Sequence, residues 1–217
     1  MTNPTVLFDL DGTLLDSVHD LARALNLLLA QRQREPVTLD KIRQVVSHGR
    51  PGMLKLCFGV SEEDKEYHLL SQDFGKLYTR HLLTQPRLFP GVTTLLSQLE
   101  KRHIKWGIVT NKPTRFTKPI VKYLGWLSRA ACVVCGDTFQ YKKPHPQPIL
   151  QACQQIPCRT DNTIFIGDAD NDIIAGKAAG TKTIVALYGY LAEDDKPDAW
   201  QADDYVNCVD ELLNKII

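Results

Sequence analysis

The sequence predicts an α/β protein: a doubly wound parallel sheet carrying an inserted α-helical cap domain. Three observations predict it. A short apolar run, Thr5 to Phe8, ends in a pair of aspartates. Residues 17–84 then carry only helical periodicity. From Pro90-Gly91 onward, strand and helix patterns alternate toward the C-terminus, as they do where parallel strands are joined by crossover helices. The helical block therefore interrupts the sheet domain. This gives a core of residues 1–16 and 85–217 and a cap of residues 17–84.

The elements follow in order. Thr5 to Phe8 suits a strand covered on both faces, because its residues are apolar or β-branched throughout. Ser17 with Asp20 three residues later has the form of a capping box. Leu21, Ala24, Leu25, Leu28 and Leu29 then recur at helical spacing, and Pro36 closes that stretch. Thr38-Leu39-Asp40 opens a second helix, to about Val46. Ser47-His48-Gly49-Arg50-Pro51-Gly52 reads as a loop, and helical pattern returns over residues 53–58 and 64–83. Beyond Pro86, helices are expected over 92–102, 114–124, 146–155 and 170–179, and from 209 onward. Strands are expected over 104–110, 130–134, 163–166, 182–187 and 204–206. Prolines fall in the first turn of the helix at 146, where a missing N–H is tolerated, and Gly180 stops the helix before it.

Composition bounds the function. The chain has 217 residues, 43% of them hydrophobic, enough for one core and a smaller satellite domain. Basic and acidic residues number 26 and 25, so bulk charge gives no reason to expect nucleic acid or a membrane surface as partner. No apolar run approaches the roughly 20 residues of a membrane span, and the start of the chain lacks the pattern of a signal peptide. Six cysteines in a chain with this much core point to a reducing cytoplasm rather than to disulfides. Cys132 and Cys135 form one CxxC, but they flank apolar residues of an expected strand and have no second pair to complete a thiolate site. Packing is the expected role.

Four strand ends carry the chemistry. The first is Phe8-Asp9-Leu10-Asp11-Gly12-Thr13. Alternation turns Asp9 and Asp11 to one side and Leu10 to the other. Two carboxylates so close repel unless something neutralises them, and oxygen ligands at such a place favour magnesium. The second is Val109-Thr110-Asn111-Lys112, whose hydroxyl and backbone N–H groups suit phosphate oxygens. The third is Lys142-Lys143-Pro144-His145-Pro146, which holds a lysine before a stiff turn. The fourth is Gly167-Asp168-Ala169-Asp170-Asn171-Asp172, which delivers a second group of acids to a strand end. Asp170 or Asn171 is expected to cap the helix there.

In this order the four motifs resemble the haloacid dehalogenase superfamily of phosphohydrolases, over essentially the whole chain. The helical insertion after the first motif looks like the cap of the phosphoglycolate phosphatase branch. Val109-Thr110-Asn111-Lys112-Pro113, Lys143-Pro144-His145-Pro146-Gln147-Pro148 and Tyr188-Gly189-Tyr190 are similar to bacterial phosphoglycolate phosphatases. The stretch from Trp106 to Phe116, with Tyr188-Gly189-Tyr190 and Glu193-Asp194-Asp195-Lys196-Pro197, also resembles N-acetylmuramic acid 6-phosphate phosphatases.

The resemblance implies a Rossmann-like core and a Mg²⁺-dependent phosphomonoesterase acting on a small phosphorylated metabolite. Asp9 is implied as the nucleophile that becomes an aspartyl-phosphate. Asp11 is implied as general acid and then base. Asp9, the backbone carbonyl of Asp11 and Asp168 would hold Mg²⁺. Thr110 and Asn111 would bind phosphoryl oxygens, Lys143 would stabilise the nucleophile and the phosphoryl charge, and Asp172 would orient Lys143 or a metal-bound water. In the cap, His48 or Arg50 is the candidate to meet an acidic group of the substrate. A hydrolytic dehalogenase needs neither Asp11 nor Asp168. A phosphosugar mutase would keep both aspartates of the first motif and differ in its product. A non-catalytic phosphate-binding regulatory module would be expected to lack one of Asp9, Asp11, Thr110, Lys143 and Asp168, and all five are present.

Overall fold

The structure, a computed structural model, describes residues 3–217. Among these residues six strands form one all-parallel sheet: β1 (Thr5–Phe8), β2 (Trp106–Val109), β3 (Val133–Val134), β4 (Thr163–Gly167), β5 (Lys182–Ala186) and β6 (Asp204–Val206). Their spatial order is β3-β2-β1-β4-β5-β6. The chain thus winds one way from β1 and then the other, and the direction reverses between β1 and β4. At such a reversal the connections leave the sheet on opposite sides and open a crevice at the carboxyl ends of the two strands. Register is set by burial: Val6 lies opposite Trp106 and Ile164, and Phe8 opposite Ile108 and Ile166. A slip of one residue would turn these side chains to the other face.

Five helices lie between β1 and β2, and the first four, within the insertion of residues 17–84, are α1 (Val18–Gln31), α2 (Leu39–Arg43), α3 (Gly49–Phe58) and α4 (Lys65–His81). They pack chiefly through α1 against α4. The outgoing and returning chain pair with each other, Asp16 N–H donating to Arg87 O (2.8 Å) and Phe89 N–H to Leu14 O (3.2 Å). The remaining helices are α5 (Val92–Lys101), α6 (Thr114–Tyr123), α7 (Gln147–Gln155), α8 (Asp170–Ala179) and α9 (Leu212–Ile216). Val6, Phe8, Ile108, Ile164, Ile166 and Ile184 face α5, α6 and α9, and this core runs on without a break into the buried side chains of α1, α3 and α4. Leu7, Val109, Val134 and Phe165 point the other way, under α7 and α8. The smaller hydrophobic cluster is therefore the second face of the sheet. The inserted helices share the larger one. Among the described residues no helix is long and apolar enough to cross a membrane.

Several boundaries differ from the sequence expectation. Helix α3 begins at Gly49, four residues early, so Gly49-Arg50-Pro51-Gly52 is its first turn rather than a loop. Pro51 is accommodated because first-turn N–H groups have no intrahelical acceptor. Helix α2 stops at Arg43, and the chain to Gly49 continues in tight turns such as Gly49 N–H to Val46 O. Edge strand β3 is regular only over two residues, although Ala131 N–H still donates to Trp106 O. The last helix opens as a 3₁₀ turn, Val209–Glu211. Cys132 and Cys135 are free and buried, as packing requires.

The capping box expected of Ser17 and Asp20 does not form. Ser17 makes no side-chain capping bond to the start of α1. Asp20, 6% exposed, instead accepts the N–H groups of Leu83 and Gln85, both at 3.1 Å. It fastens the segment that returns from α4 to the sheet, where Leu83 adopts a positive φ of 69°. Replacing Asp20 by Ala leaves two part-buried N–H groups without their charged acceptor. We expect Asp20→Ala to lower unfolding free energy by about 2 kcal/mol or more, read as a fall in the urea midpoint at unchanged slope.

Candidate active site

The crevice between β1 and β4 gathers the charged side chains of all four motifs. Asp9 leaves the end of β1 and Asp168 the end of β4. Lys143 reaches in from the loop before α7 and is almost wholly buried, at 2% exposure. Its ammonium donates to Val109 O (2.9 Å) and Asp172 Oδ1 (2.6 Å), and lies 2.9 Å from Asp9 Oδ1. The contact with Asp9 is an ion pair not aligned as a hydrogen bond, so Asp9 Oδ1 is buried without a hydrogen-bond donor. Burial opposes charge on Lys143, but Asp172 and Asp9 outweigh it and hold its pKa above the usual lysine range.

Asp168 is held from several sides. Thr13 Oγ donates to Oδ1 (2.9 Å) and the backbone N–H of Tyr190 to Oδ2 (2.9 Å). Two glycines make room for it. A Cβ on Gly12, whose φ is +88°, would stand 2.0 Å from Asp168 Oδ2, and one on Gly189 would stand 2.3 Å from Asp168 Cβ. Burial, followed by the charges of Asp9 and Asp172, pushes the Asp168 carboxyl well above the usual range. Asp172 does two tasks. Oδ1 accepts from Lys143, and Oδ2 accepts the N–H of Ala169 (3.1 Å), the residue that caps α8. The cap expected of Asp170 or Asn171 is therefore supplied by Asp172, reaching back from the first turn, and Asp170 stands exposed. Burial, against the pull of Lys143, leaves Asp172 at about 6.

Asp9, Asp168 and Asp172 each bring one carboxylate oxygen within 4.8 Å of the other two. Two buried acids and the partly buried Asp9 crowd about one ammonium; burial first, and then the charge of the neighbouring acids, raises the pKa values of Asp168 and Asp172. A divalent cation would correct the charge. It would also use Asp9 Oδ1, which has the Lys143 ion pair but no aligned hydrogen-bond donor, and hard carboxylate oxygens suit it. The donor set fits a metal ion on these grounds.

The second motif lies alongside. Thr110, 4% exposed, accepts the backbone N–H of Lys112 at its hydroxyl oxygen (3.2 Å), which leaves the hydroxyl proton for another acceptor. The Asn111 side chain clamps the lysine loop, with Nδ2 donating to Lys143 O (2.9 Å) and Oδ1 accepting Lys143 N–H (3.0 Å). Asp11 does not join the acid cluster. Its carboxylate accepts from Lys112 Nζ at both oxygens, 3.0 and 2.9 Å, and Lys112 also donates to Tyr78 Oη (2.8 Å) on helix α4.

Above these groups the crevice is lined by Val46 and Ser47 of the turns before α3 and by Arg50, Met53, Phe74 and Tyr78 of the inserted helices. Arg50 lines it, with Nη1 donating to Ser71 Oγ (2.7 Å). Burial and then the neighbouring Arg115 lower the Arg50 pKa. His48 precedes α3 on an exposed turn and does not line the crevice. Sequence reasoning assigned no role to Lys112, Tyr78, Thr13 or Tyr190. Lys112 and Thr13 stand inside the quoted motifs and were open to notice. Tyr78 reads in the sequence only as one residue of an apolar helical stripe.

Comparison with known proteins identifies the family. The family model for haloacid dehalogenase-like hydrolases matches residues 6–186. The N-acetylmuramic acid 6-phosphate phosphatase of Pseudomonas aeruginosa is 40% identical over 96% of this chain and 92% of its own. A phosphoglycolate phosphatase of Xanthomonas campestris pv. campestris is 42% identical over 91% of this chain and 89% of its own. A crystal structure from Haemophilus somnus, described as a predicted phosphoglycolate phosphatase, superposes with a TM-score of 0.87 at 25% identity over the whole of both chains. On the family model and these relatives, the chain belongs to the haloacid dehalogenase-like hydrolase family.

Proposed function

We propose that this protein is a Mg²⁺-dependent phosphomonoesterase that hydrolyses a small phosphorylated metabolite through an aspartyl-phosphate, with phosphoglycolate as its substrate. The observation that carries this reading is the crowding of Asp9, Asp168 and Asp172, with Lys143 paired to Asp9 and Asp172, in a crevice that Asp11 also lines.

In the first step an Asp9 oxygen forms a bond to phosphorus. The ester P–O bond breaks, and Asp11 passes its proton to the departing oxygen to give the free alcohol. In the second step Asp11 takes a proton from water as the water oxygen bonds to phosphorus. The bond from phosphorus to Asp9 breaks, and inorganic phosphate leaves. Asp9, Asp168 and the backbone carbonyl of Asp11 would hold Mg²⁺, which neutralises charge on nucleophile and phosphoryl group when bound. Lys143, paired with Asp9, would offset the same charge. Thr110 has its hydroxyl proton to give to a phosphoryl oxygen. Asn111 acts by its backbone N–H and by holding Lys143 in place. Asp172 keeps the Lys143 ammonium aimed at Asp9.

Arg50 is the cation placed to meet a second acidic group, and both candidate substrates carry a carboxylate. The 40% identity to the Pseudomonas aeruginosa relative favours N-acetylmuramic acid 6-phosphate as the second reading. Phosphate release from the two esters, side by side with Mg²⁺, decides between them. Faster turnover of phosphoglycolate supports the first, and faster turnover of the amino-sugar ester replaces it with the second.

Three outcomes are expected. Asp9→Asn removes the nucleophile and should lower kcat by on the order of 10³-fold or more, several kcal/mol of barrier; near-wild-type turnover would end this mechanism. Mg²⁺ should raise the melting temperature of the apoprotein, because a ligand of the native state at a hundred times its Kd stabilises by about 2.7 kcal/mol. Asp168→Asn should abolish that rise. Arg50→Ala should raise KM by roughly tenfold, the value of a charged hydrogen bond, and change kcat less; an unchanged KM would remove Arg50 from the substrate site.

A further inference from the structure

Lys112 is, with Lys143, a closely held cation of the site, and the steps above give it no task. It is 8% exposed, so its ammonium is cut off from bulk water. All three N–H donors are engaged: two on the oxygens of Asp11 (3.0 and 2.9 Å) and one on the hydroxyl of Tyr78 (2.8 Å). Its backbone is fixed as well. Lys112 O accepts from Thr117 Oγ (3.2 Å) and Gly136 N–H (3.1 Å), and Lys112 N–H donates to Thr110 Oγ.

Tyr78 belongs to a different element. It lies on inserted helix α4, buried, stacked on Phe74 (centroids 5.9 Å apart) and edge-on to Phe116 of α6 (4.9 Å). The same helix turn presses closely on the sheet domain, where a Cβ on Gly75 would stand 3.1 Å from Arg115 Nη2. The third partner of Lys112 therefore exists only while α4 is docked.

We propose that Lys112 is the positioning residue for Asp11, and that Tyr78 completes its hydrogen bonding so that Asp11 is set for proton transfer only with α4 in place. This rests on the reading of Asp11 as acid and base. Two oxygens of Asp11 held by one ammonium match the carboxylate that remains after the proton has gone to the leaving oxygen. An interaction that strengthens as the proton departs stabilises the transition state over the ground state. Lys112 also draws Asp11 away from Asp9, Asp168 and Asp172, whose charges would otherwise repel it. A buried ammonium without Tyr78 would lose an acceptor that water cannot readily replace.

Leaving-group dependence tests this, because an alkyl phosphate needs its leaving oxygen protonated and p-nitrophenyl phosphate hardly does. The quantity to compare is kcat/KM, which reports the first step. The esters are p-nitrophenyl phosphate and whichever of phosphoglycolate and N-acetylmuramic acid 6-phosphate the wild type prefers. Lys112→Met should lose about 100-fold on the alkyl ester, the scale of general acid catalysis, and less than about tenfold on the aryl ester. Tyr78→Phe removes one hydroxyl and should lose about fivefold on the alkyl ester alone. Equal losses on both esters in Lys112→Met, or no loss, would overturn the positioning role. An unchanged ester ratio in Tyr78→Phe would overturn the dependence on α4, and this variant carries the test if Lys112→Met does not fold. Asp11→Asn tests the underlying reading separately. If it keeps alkyl ester activity in an otherwise active enzyme, both the acid–base role and this inference fall.

Discussion

The pairing of one buried ammonium with more carboxylates than it can neutralise governs this structure. Lys143 is shared between Asp9 and Asp172 and anchored on Val109 O. Asp168 stands in the same cluster, with only neutral donors on its oxygens. A protein interior tolerates such charge when each ion is paired and hydrogen-bonded, and here the acids exceed the base. The surplus is a demand for a cation and a poised field for a phosphoryl group. Much of the surrounding chain serves to keep the acids close: Gly12 and Gly189 leave space for Asp168, Asn111 ties down the loop of Lys143, and Asp172 joins the start of α8 to the site.

The sheet supplies the rigidity for this. Asp9 and Asp168 leave neighbouring parallel strands, and both strands are buried on both faces. Their separation is set by backbone hydrogen bonding rather than by side-chain choice. The reversal of winding between β1 and β4 leaves their carboxyl ends uncovered by crossover helices. The inserted helices then close over that opening.

Two polar chains join the inserted helices to the acids. One runs from Tyr78 through Lys112 to Asp11. The other begins at Arg43 of α2, which donates to both oxygens of Asp16 (3.0 and 3.1 Å). Asp16 accepts the hydroxyl of Tyr190 (2.9 Å), and the backbone N–H of Tyr190 grips Asp168. Substrate enclosure and the arrangement of the acids thereby share residues. The apolar core is continuous across the same boundary, so the inserted helices are fastened by packing as well as by these polar contacts.

The sequence by itself determined the architecture and the strand-end acids. Alternation along Val6-Leu7-Phe8 and the repeated strand–helix pattern are local, and a polar residue just past a buried strand falls at the carboxyl edge wherever that strand sits in a parallel sheet. Asp9, Asp11, Thr110 and Asp168 could be placed at one edge on that basis, whereas Lys143, well past the end of β3, came to the site through the family resemblance. Partnerships between residues distant in the chain needed the tertiary structure. Asp20 has the spacing of a capping residue, yet its acceptors meet N–H groups more than 60 residues away. Gly49-Arg50-Pro51-Gly52 has the composition of a loop, yet α3 absorbs it. Asp11 and Lys112 lie 101 residues apart and Lys112 and Tyr78 lie 34 apart. Local periodicity fixes which way a side chain points along its own strand or helix, whereas which charge it finds there depends on how the elements stack, and only the packed fold decides that.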